Sequence, residues 1–432
     1  MQMTTRPAAP KRIAVIGAGI SGMGAAQMLA PDHHVVLFEA ESRLGGHART
    51  RMAGVRGDQP VDTGFIVFNY ANYPHLTQLF AELDVPVMQS AMSFGASIDG
   101  GRFEYGLKSL ASLFAQKRNI ADPRFLRMMR DVLRFNRLAL QTAAAPGLTI
   151  GGLLDQLRTG QWFRDYYLLP LSGAIWSTPK ESILDFPAQT MIRFFENHAL
   201  LGIYGQHQWW TVRGGSIEYV RRLDASMRKR GVEIRLGAPV AGVRRSHGGV
   251  EVRAHGAEWE MFDDVVFASH SDDTLTMLAD PTPKETSVLG AIRYQPNDVV
   301  LHSDTSVMPR RRPVWSSWNY TESADKRTSK IDLTYWMNNL QPALQADDLF
   351  VTLNSTRPIR QELIWDQTVL RHPVYDTAAL AAQGEAAAMN GANRTWFCGA
   401  WMKNGFHEDG LSSAVDVVRG INAAASVAFA AE

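Results

Sequence analysis

The chain has 432 residues, of which 45% are hydrophobic and 20% charged, with a formal net charge of +1. That length allows a large core and more than one simple domain, and the balanced charge removes any bulk signal for nucleic acid. A single cysteine excludes an intrachain disulfide framework and cysteine-based metal clusters, so no metal is expected and a reducing cytoplasm is.

In chain order, residues 1–10 lack the apolar stretch of a signal peptide. Ile13 to Ile16 then read as an apolar strand running into Gly17-x-Gly19-x-x-Gly22. A helical stretch comes next, opened by Ile20 and Ser21, then a second strand, Val35 to Phe38, and an acid, Glu39. Each glycine has a job. Gly17 permits the tight turn, Gly19 lets the backbone approach a pyrophosphate, and Gly22 lets helix and strand pack closely. The helix N-terminus offers unpaired N–H groups and a positive dipole end to phosphate. Glu39 stands where a ribose hydroxyl needs an acceptor. These parts, in this order, predict a dinucleotide site.

Glu41-x-Arg43-Leu44-Gly45-Gly46-His47-Ala48-Arg49 forms a second double-glycine turn, able to close over a pyrophosphate. Between Lys117 and Gln141, Arg124, Arg127, Arg130, Arg134 and Arg137 step by three or four, as on one face of a helix. Such a basic amphipathic helix suits either an anionic membrane surface or an ordinary solvated lid. Trp210 to Ser216 read as a strand entering a helix, Val232–Leu236 and Val250–Val252 as alternating strands, and Asp264–Ala268 as a buried strand. Trp396 to Trp401 form a short strand and turn, and Gly405 to Leu411 open a last helix, Ser412 to Ala424. No uncharged apolar run is long enough to span a bilayer.

The Glu41–Arg49 turn and the Trp396–Leu411 stretch resemble the flavin amine oxidase superfamily. The resemblance implies an α/β fold: a Rossmann-like FAD-binding domain of the amine-oxidase type, with an interleaved α+β substrate domain. It places the FAD-binding domain in 11–68, 209–280 and 389–432, and the substrate domain in 69–208 and 281–388. It implies noncovalent FAD, held by Gly17, Gly19, Ile20, Ser21, Gly22, Glu39, Ala40, Arg43, Gly45, Gly46, His47, Gly64, Phe65, Val240, Gly399, Ala400, Gly410 and Leu411. Segments Val61–Asn69, Ala174–Pro179, Asn197–Leu201, Gln208–Ser216, Trp318–Tyr320, Thr334–Asn338 and Gly405–Leu411 narrow it. They resemble a bacterial branch of NAD/FAD-binding oxidoreductases encoded near cyclopropane-fatty-acid-synthase-like methyltransferases. That branch implies an acyl-chain or lipid substrate and a methyltransferase partner.

Two departures bear on chemistry. Asp298 stands at the apparent place of the lysine that amine oxidases carry near the flavin, and Phe406 replaces a cage tyrosine. Chemistry then falls to His407 and Glu408, just before the last helix. His407 can take a proton while hydride leaves for flavin N5, or simply contact the ring. Asp409 is expected to cap the helix, and Cys398 to be a small core residue rather than a covalent flavin link. The expected function is an FAD-dependent oxidoreductase that dehydrogenates, and so desaturates, a methylated or unsaturated fatty-acyl chain of a membrane lipid. A route to furan-type fatty acids is one setting for it. The alternatives are an amine oxidase using O2 and a non-catalytic flavoprotein partner of a lipid methyltransferase. The expected location is cytoplasmic, at the inner face of the membrane if the arginine face docks there.

Overall fold

The computed structural model describes residues 9–176, 183–198, 200–201, 207–322 and 332–430. Five strands form a parallel sheet: β1 (Arg12–Ile16), β2 (His34–Phe38), β3 (Glu233–Arg235), β4 (Asp264–Phe267) and β5 (Thr395–Phe397). Their order is β3-β2-β1-β4-β5, and every pair runs parallel. A parallel sheet must be covered on both faces, so its inner strands run apolar over consecutive positions, Ile13–Ile16, Val35–Phe38 and Val265–Phe267, rather than at alternate ones. In β1, Ile13 and Val15 face one core, while Ala14 and Ile16 face the other. Val35 and Leu37 of β2 divide from Val36 and Phe38 in the same way.

Five helices frame the glycine turn and the large sheet beside it: α1 (Ile20–Leu29), α2 (Pro74–Glu82), α3 (Pro123–Thr142), α4 (Ile217–Lys229) and α5 (His407–Ala430). Helices α1, α4 and α5 share the first core, in which Met23, Leu223 and Val417 meet Val15. An antiparallel meander, Val240–Ser246, Gly249–Ala254 and Glu260–Phe262, covers the second. Helix Thr377–Met389 joins it there through Ala379, Ala382 and Ala386.

A seven-stranded sheet stands beside this unit. In order its strands are Ile364–Val374, Arg293–His302, Phe350–Leu353, Asp332–Trp336, Trp318–Thr321, Phe94–Ile98 and Phe103–Gly106. All neighbours are antiparallel except Trp318–Thr321 with Phe94–Ile98. Helix α3 and helices Ile150–Gln156 and Ala188–Asn197 pack on it through the largest apolar cluster, which includes Phe125, Phe135, Leu154, Phe195 and Leu333. This is the expected class, a Rossmann-like unit with an interleaved α+β unit. The basic segment is helical later than the sequence suggests. Lys117–Ala121 is a single 3-10 turn, and Asp122 caps α3 by accepting the Arg124 N–H at 2.9 Å. Pro123 explains the delay, because proline fits only the first helical turn.

Two links tie the units together. Arg49, from the double-glycine segment, makes a two-pronged pair with Asp366 of the large sheet, with Nη2 to Oδ1 at 3.0 Å. Asp62 is fully buried. It accepts from Thr50 Oγ1 at 2.6 Å, from the Ser216 N–H at 2.8 Å and from Gln341 Nε2 at 3.0 Å. Burial pushes its carboxyl up to about 6. Arg49 is buried, while Asp366 is half-buried and keeps Arg51 as a second partner at 3.3 Å. Arg49→Met is therefore expected to cost about 1.5 kcal/mol of stability, as for a lost hydrogen bond to a charged group, read as a lower Tm. Arg49→Met with Asp366→Leu should recover part of the loss, and an unchanged Tm in the single variant would contradict the link.

Candidate flavin site

The glycine turn after β1 is built on contacts that admit no side chain. Gly17 has φ of +100°, and its N–H donates to the Phe38 carbonyl at 2.8 Å. A Cβ on Gly22 would lie 1.8 Å from the Gly17 oxygen. Gly19, the N-cap of α1, is different: a Cβ there would meet no heavy atom within 4 Å. So Gly17 and Gly22 serve the fold, while the backbone at Gly19 faces open space at the N-terminus of a buried helix. That cradle suits a pyrophosphate.

The acid sits where the fingerprint needs it. Glu39 Oε2 accepts the Ala18 N–H at 2.6 Å, and Oε1 accepts the Glu41 N–H at 2.8 Å. Both oxygens keep lone pairs for a ribose hydroxyl, since a carboxylate has about four acceptor sites. Ala40 is exposed beside it. Val240 opens the meander just after Ala238, whose N–H donates to the Glu39 carbonyl at 2.8 Å.

The second turn folds over the first. Gly45 and Gly46 have φ of +109° and +54°, and a Cβ on Gly46 would come within 3.0 Å of the Gly19 Cα. Arg43 does not project from this turn. Its guanidinium donates to the carbonyls of Gly46 at 2.9 Å and Ala48 at 3.2 Å, bracing the loop from behind. His47 carries the chain onward, and its carbonyl accepts the Phe65 N–H at 2.9 Å. Gly64 lies so close that a Cβ would stand 1.9 Å from that carbonyl.

The far end of the chain converges here. The Gly399 N–H donates to Ser413 Oγ at 2.9 Å, and Ala400, its neighbour, is half-buried. A Cβ on Gly410 would meet Ser21 Oγ at 2.8 Å and Ile20 Cγ2 at 3.0 Å, so the N-terminal turns of α1 and α5 touch. Leu411 is a correction. Its side chain packs into the core against Gly24 of α1, because position 411 faces that helix.

The chemical candidates change most. Glu408 does not face a substrate space. Its two oxygens accept the N–H groups of His75 and Leu76, at 3.0 and 2.9 Å, capping the N-terminus of α2. His407 stacks on Phe65, with centroids 3.9 Å apart and planes at 11°. Its Nε2 shares a hydrogen bond with Tyr219 OH at 2.6 Å. Burial pushes the ring down to about 3, so it is neutral at physiological pH. A ring so placed packs and orients, and it is a poor base. Asp409 does cap its helix, accepting the Phe406 N–H at 2.9 Å as the acid of a capping box does. Burial raises its carboxyl to about 6.

Asp298 is also a correction. It is exposed, whereas its neighbour Asn297 is buried. Successive strand residues face opposite sides. Asn297 Nδ2 contacts His372 Nδ1 at 2.9 Å and its Oδ1 accepts from Asn354 at 2.7 Å. His372, His47 and His270 form a row, with ring centroids 5.6 and 5.8 Å apart on either side of His47. Burial lowers all three, His270 and His372 to about 3. Cys398 is fully buried with its thiol pushed up to about 12, which suits a core residue. His302 is structural, buried and bonded to Thr352 Oγ1 at 2.7 Å. Of the segments that narrowed the resemblance, Ser177–Pro179 and Ala199 lie outside the described residues.

Sequence reasoning missed Tyr219, Asn297 and His372. Tyr219 had one signal: it shares the apolar face of α4 with Val220, Leu223 and Met227. The pairing of Asn297 with His372 comes from sheet register across 75 residues of chain.

A family model for flavin-containing amine oxidoreductases matches residues 20–308. The chain belongs to this family. It is an FAD-dependent oxidoreductase. Among curated relatives, an L-amino acid oxidase of Cerastes cerastes is 47% identical over 51 residues, 12% of this chain and 9% of that protein. Among solved structures, a CLA-producing fatty acid isomerase from P. acnes is 14% identical with a TM-score of 0.65, covering 95% of this chain and 98% of that one. A cyclohexylamine oxidase from Brevibacterium oxydans is 16% identical with a TM-score of 0.66, covering 96% and 99%. These structural likenesses establish the fold.

Two glycine variants separate cofactor from fold. Gly19→Val should fold with a near-native Tm and circular dichroism spectrum yet purify without flavin. Gly22→Ala should lower stability itself, because its Cβ has no room. Flavin retained by Gly19→Val at wild-type occupancy would contradict this cradle.

Proposed function

We propose that this oxidoreductase dehydrogenates the acyl chain of a membrane lipid. When bound, FAD supplies a two-electron acceptor that takes hydride at N5. The chain's own residues must present the substrate and exclude water. One observation carries the reading. Both carboxylates at the start of α5 are turned into backbone caps, Glu408 onto α2 and Asp409 onto the Phe406 N–H. The surroundings of Phe406 are aromatic. Phe406 stacks on Phe194 with centroids 5.0 Å apart, and His198 stands 5.7 Å away. Burial lowers the His198 ring too, which favours its neutral form.

A cationic amine is best held by a free carboxylate, and burying its charge unpaired is costly. An acyl chain needs only apolar walls. Asn297, a neutral amide, is the buried neighbour of Asp298, where the resemblance places an amine oxidase lysine. His407 acts here as a positioning residue, fixed by Tyr219 and Phe65. A lipid methyltransferase that supplies a branched or unsaturated chain belongs to the same proposal as a partner, and noncovalent attachment of the flavin fits the inert Cys398 thiol.

Lipid mass spectrometry of cells with and without the gene tests this. A membrane lipid richer by one pair of hydrogens should accumulate on deletion and disappear on complementation. An unchanged lipid profile, together with a new amine pool, would overturn the reading.

A further inference from the structure

Helix α3 lies far from the glycine turns in sequence, and it does more than cover the large sheet. Phe125, Met128, Phe135 and Ala139 face the core, with Asp131 buried among them. Asp131 Oδ2 accepts the Gly160 N–H at 2.9 Å, so this acid is occupied by structure. The opposite side carries an unusual mixture. Leu126, Leu133 and Leu140 are 47%, 55% and 42% exposed. A step of seven residues drifts by about 20° on a helix, so these leucines form one nearly straight line. Arg130 and Arg137 repeat the same step beside them, and Arg127 and Arg134 repeat it on the flank.

Two arginines of the expected basic face are partly committed. Arg124 pairs with Asp122 at 2.9 Å and lies 4.6 Å over the Trp162 ring, and Arg130 reaches Asp131 at 3.2 Å. Among the described residues, Arg127, Arg134 and Arg137 have no carboxylate partner. From Lys117 to Thr142 seven cations stand against two carboxylates. Ile120, in the turn leading into the helix, is also exposed.

A merely solvated face has no use for a line of leucines. A binding site for an acidic protein would favour charge without a straight apolar ridge. The pairing of an exposed leucine line with flanking free arginines matches a surface that is apolar below and anionic at its border, which is the interface of a bilayer. We propose that α3 docks this enzyme on an anionic membrane, leucines entering the headgroup region and arginines meeting lipid phosphates. No helix among the described residues is long and apolar enough to cross a membrane, so this contact is peripheral. It deepens the acyl-lipid reading by placing the enzyme at the source of its substrate. Docking is measured without turnover, so its failure leaves the chemistry standing and loss of the chemistry leaves docking standing.

The test is vesicle sedimentation with the full-length, flavin-loaded protein. One set of vesicles contains phosphatidylglycerol with phosphatidylethanolamine; the other contains phosphatidylcholine alone. Wild type should pellet with the anionic vesicles at low salt, release at high salt, and stay in solution with the neutral ones. Each arginine near such a surface contributes about fivefold in partitioning. Arg127→Glu, Arg134→Glu and Arg137→Glu together should therefore weaken binding by at least about a hundredfold. Leu126→Ser, Leu133→Ser and Leu140→Ser together should weaken it by at least about tenfold, with less effect on salt dependence. Five of the six positions are exposed and Arg134 is half-buried on the flank, so flavin content and Tm report that both variants fold. Binding of either variant equal to wild type would overturn the proposal. So would equal binding to neutral vesicles, no pelleting by wild type, or a dimer in solution that the leucine variant dissolves.

Discussion

Everything at this site hangs on the approach of Gly22 to Gly17. With no Cβ in the way, α1 begins directly against the turn that ends β1. That closeness brings the helix N-terminus, with its unpaired N–H groups, to the carboxyl ends of the central strands, where open α/β sheets bind ligands. Gly46 then settles on Gly19, and Gly410 on Ile20 and Ser21. Two neighbouring turns and the distant start of α5 meet because Gly46 and Gly410 carry no side chain at the point of contact.

The same economy shapes the chemistry. A carboxylate or a histidine beside a flavin invites a catalytic role, yet here the acids of α5 serve helix termini. Glu408 anchors α2, and Asp409 closes its own helix. Helix termini leave N–H groups unsatisfied, and an acid nearby meets that need. Once these anions are committed to backbone, the aromatic surface around Phe406 is left without their counter-charge, which is the premise of the proposed uncharged substrate group. The Arg49–Asp366 pair and the buried Asp62 hold the large sheet against this surface.

Local features were legible in the sequence and distant ones were not. The β1–α1–β2 fingerprint, Glu39 and the second double-glycine turn occupy a short stretch, and strand period and glycine placement suffice to read them. The arginine periodicity likewise revealed α3, though Pro123 moved its start. By contrast, whether Asp298 or Asn297 faces inward depends on the register of Arg293–His302 against its neighbours, since a shift of one residue exchanges the faces. Glu408 gave no sign of its partner, because α2 lies 332 residues away in sequence. The arginines alone left a lid and a membrane face equally open; the exposure of Leu126, Leu133 and Leu140, on which the membrane proposal rests, depends on which side of α3 the core covers.

The most direct test is the flavin spectrum of the purified holoenzyme under anaerobic conditions. Phospholipid extracted from cells lacking the gene should bleach the oxidised flavin band, while mono-, di- and polyamines and amino acids should leave it unchanged. Rapid bleaching by an amine, with none by the lipid extract, would contradict the apolar reading of the site.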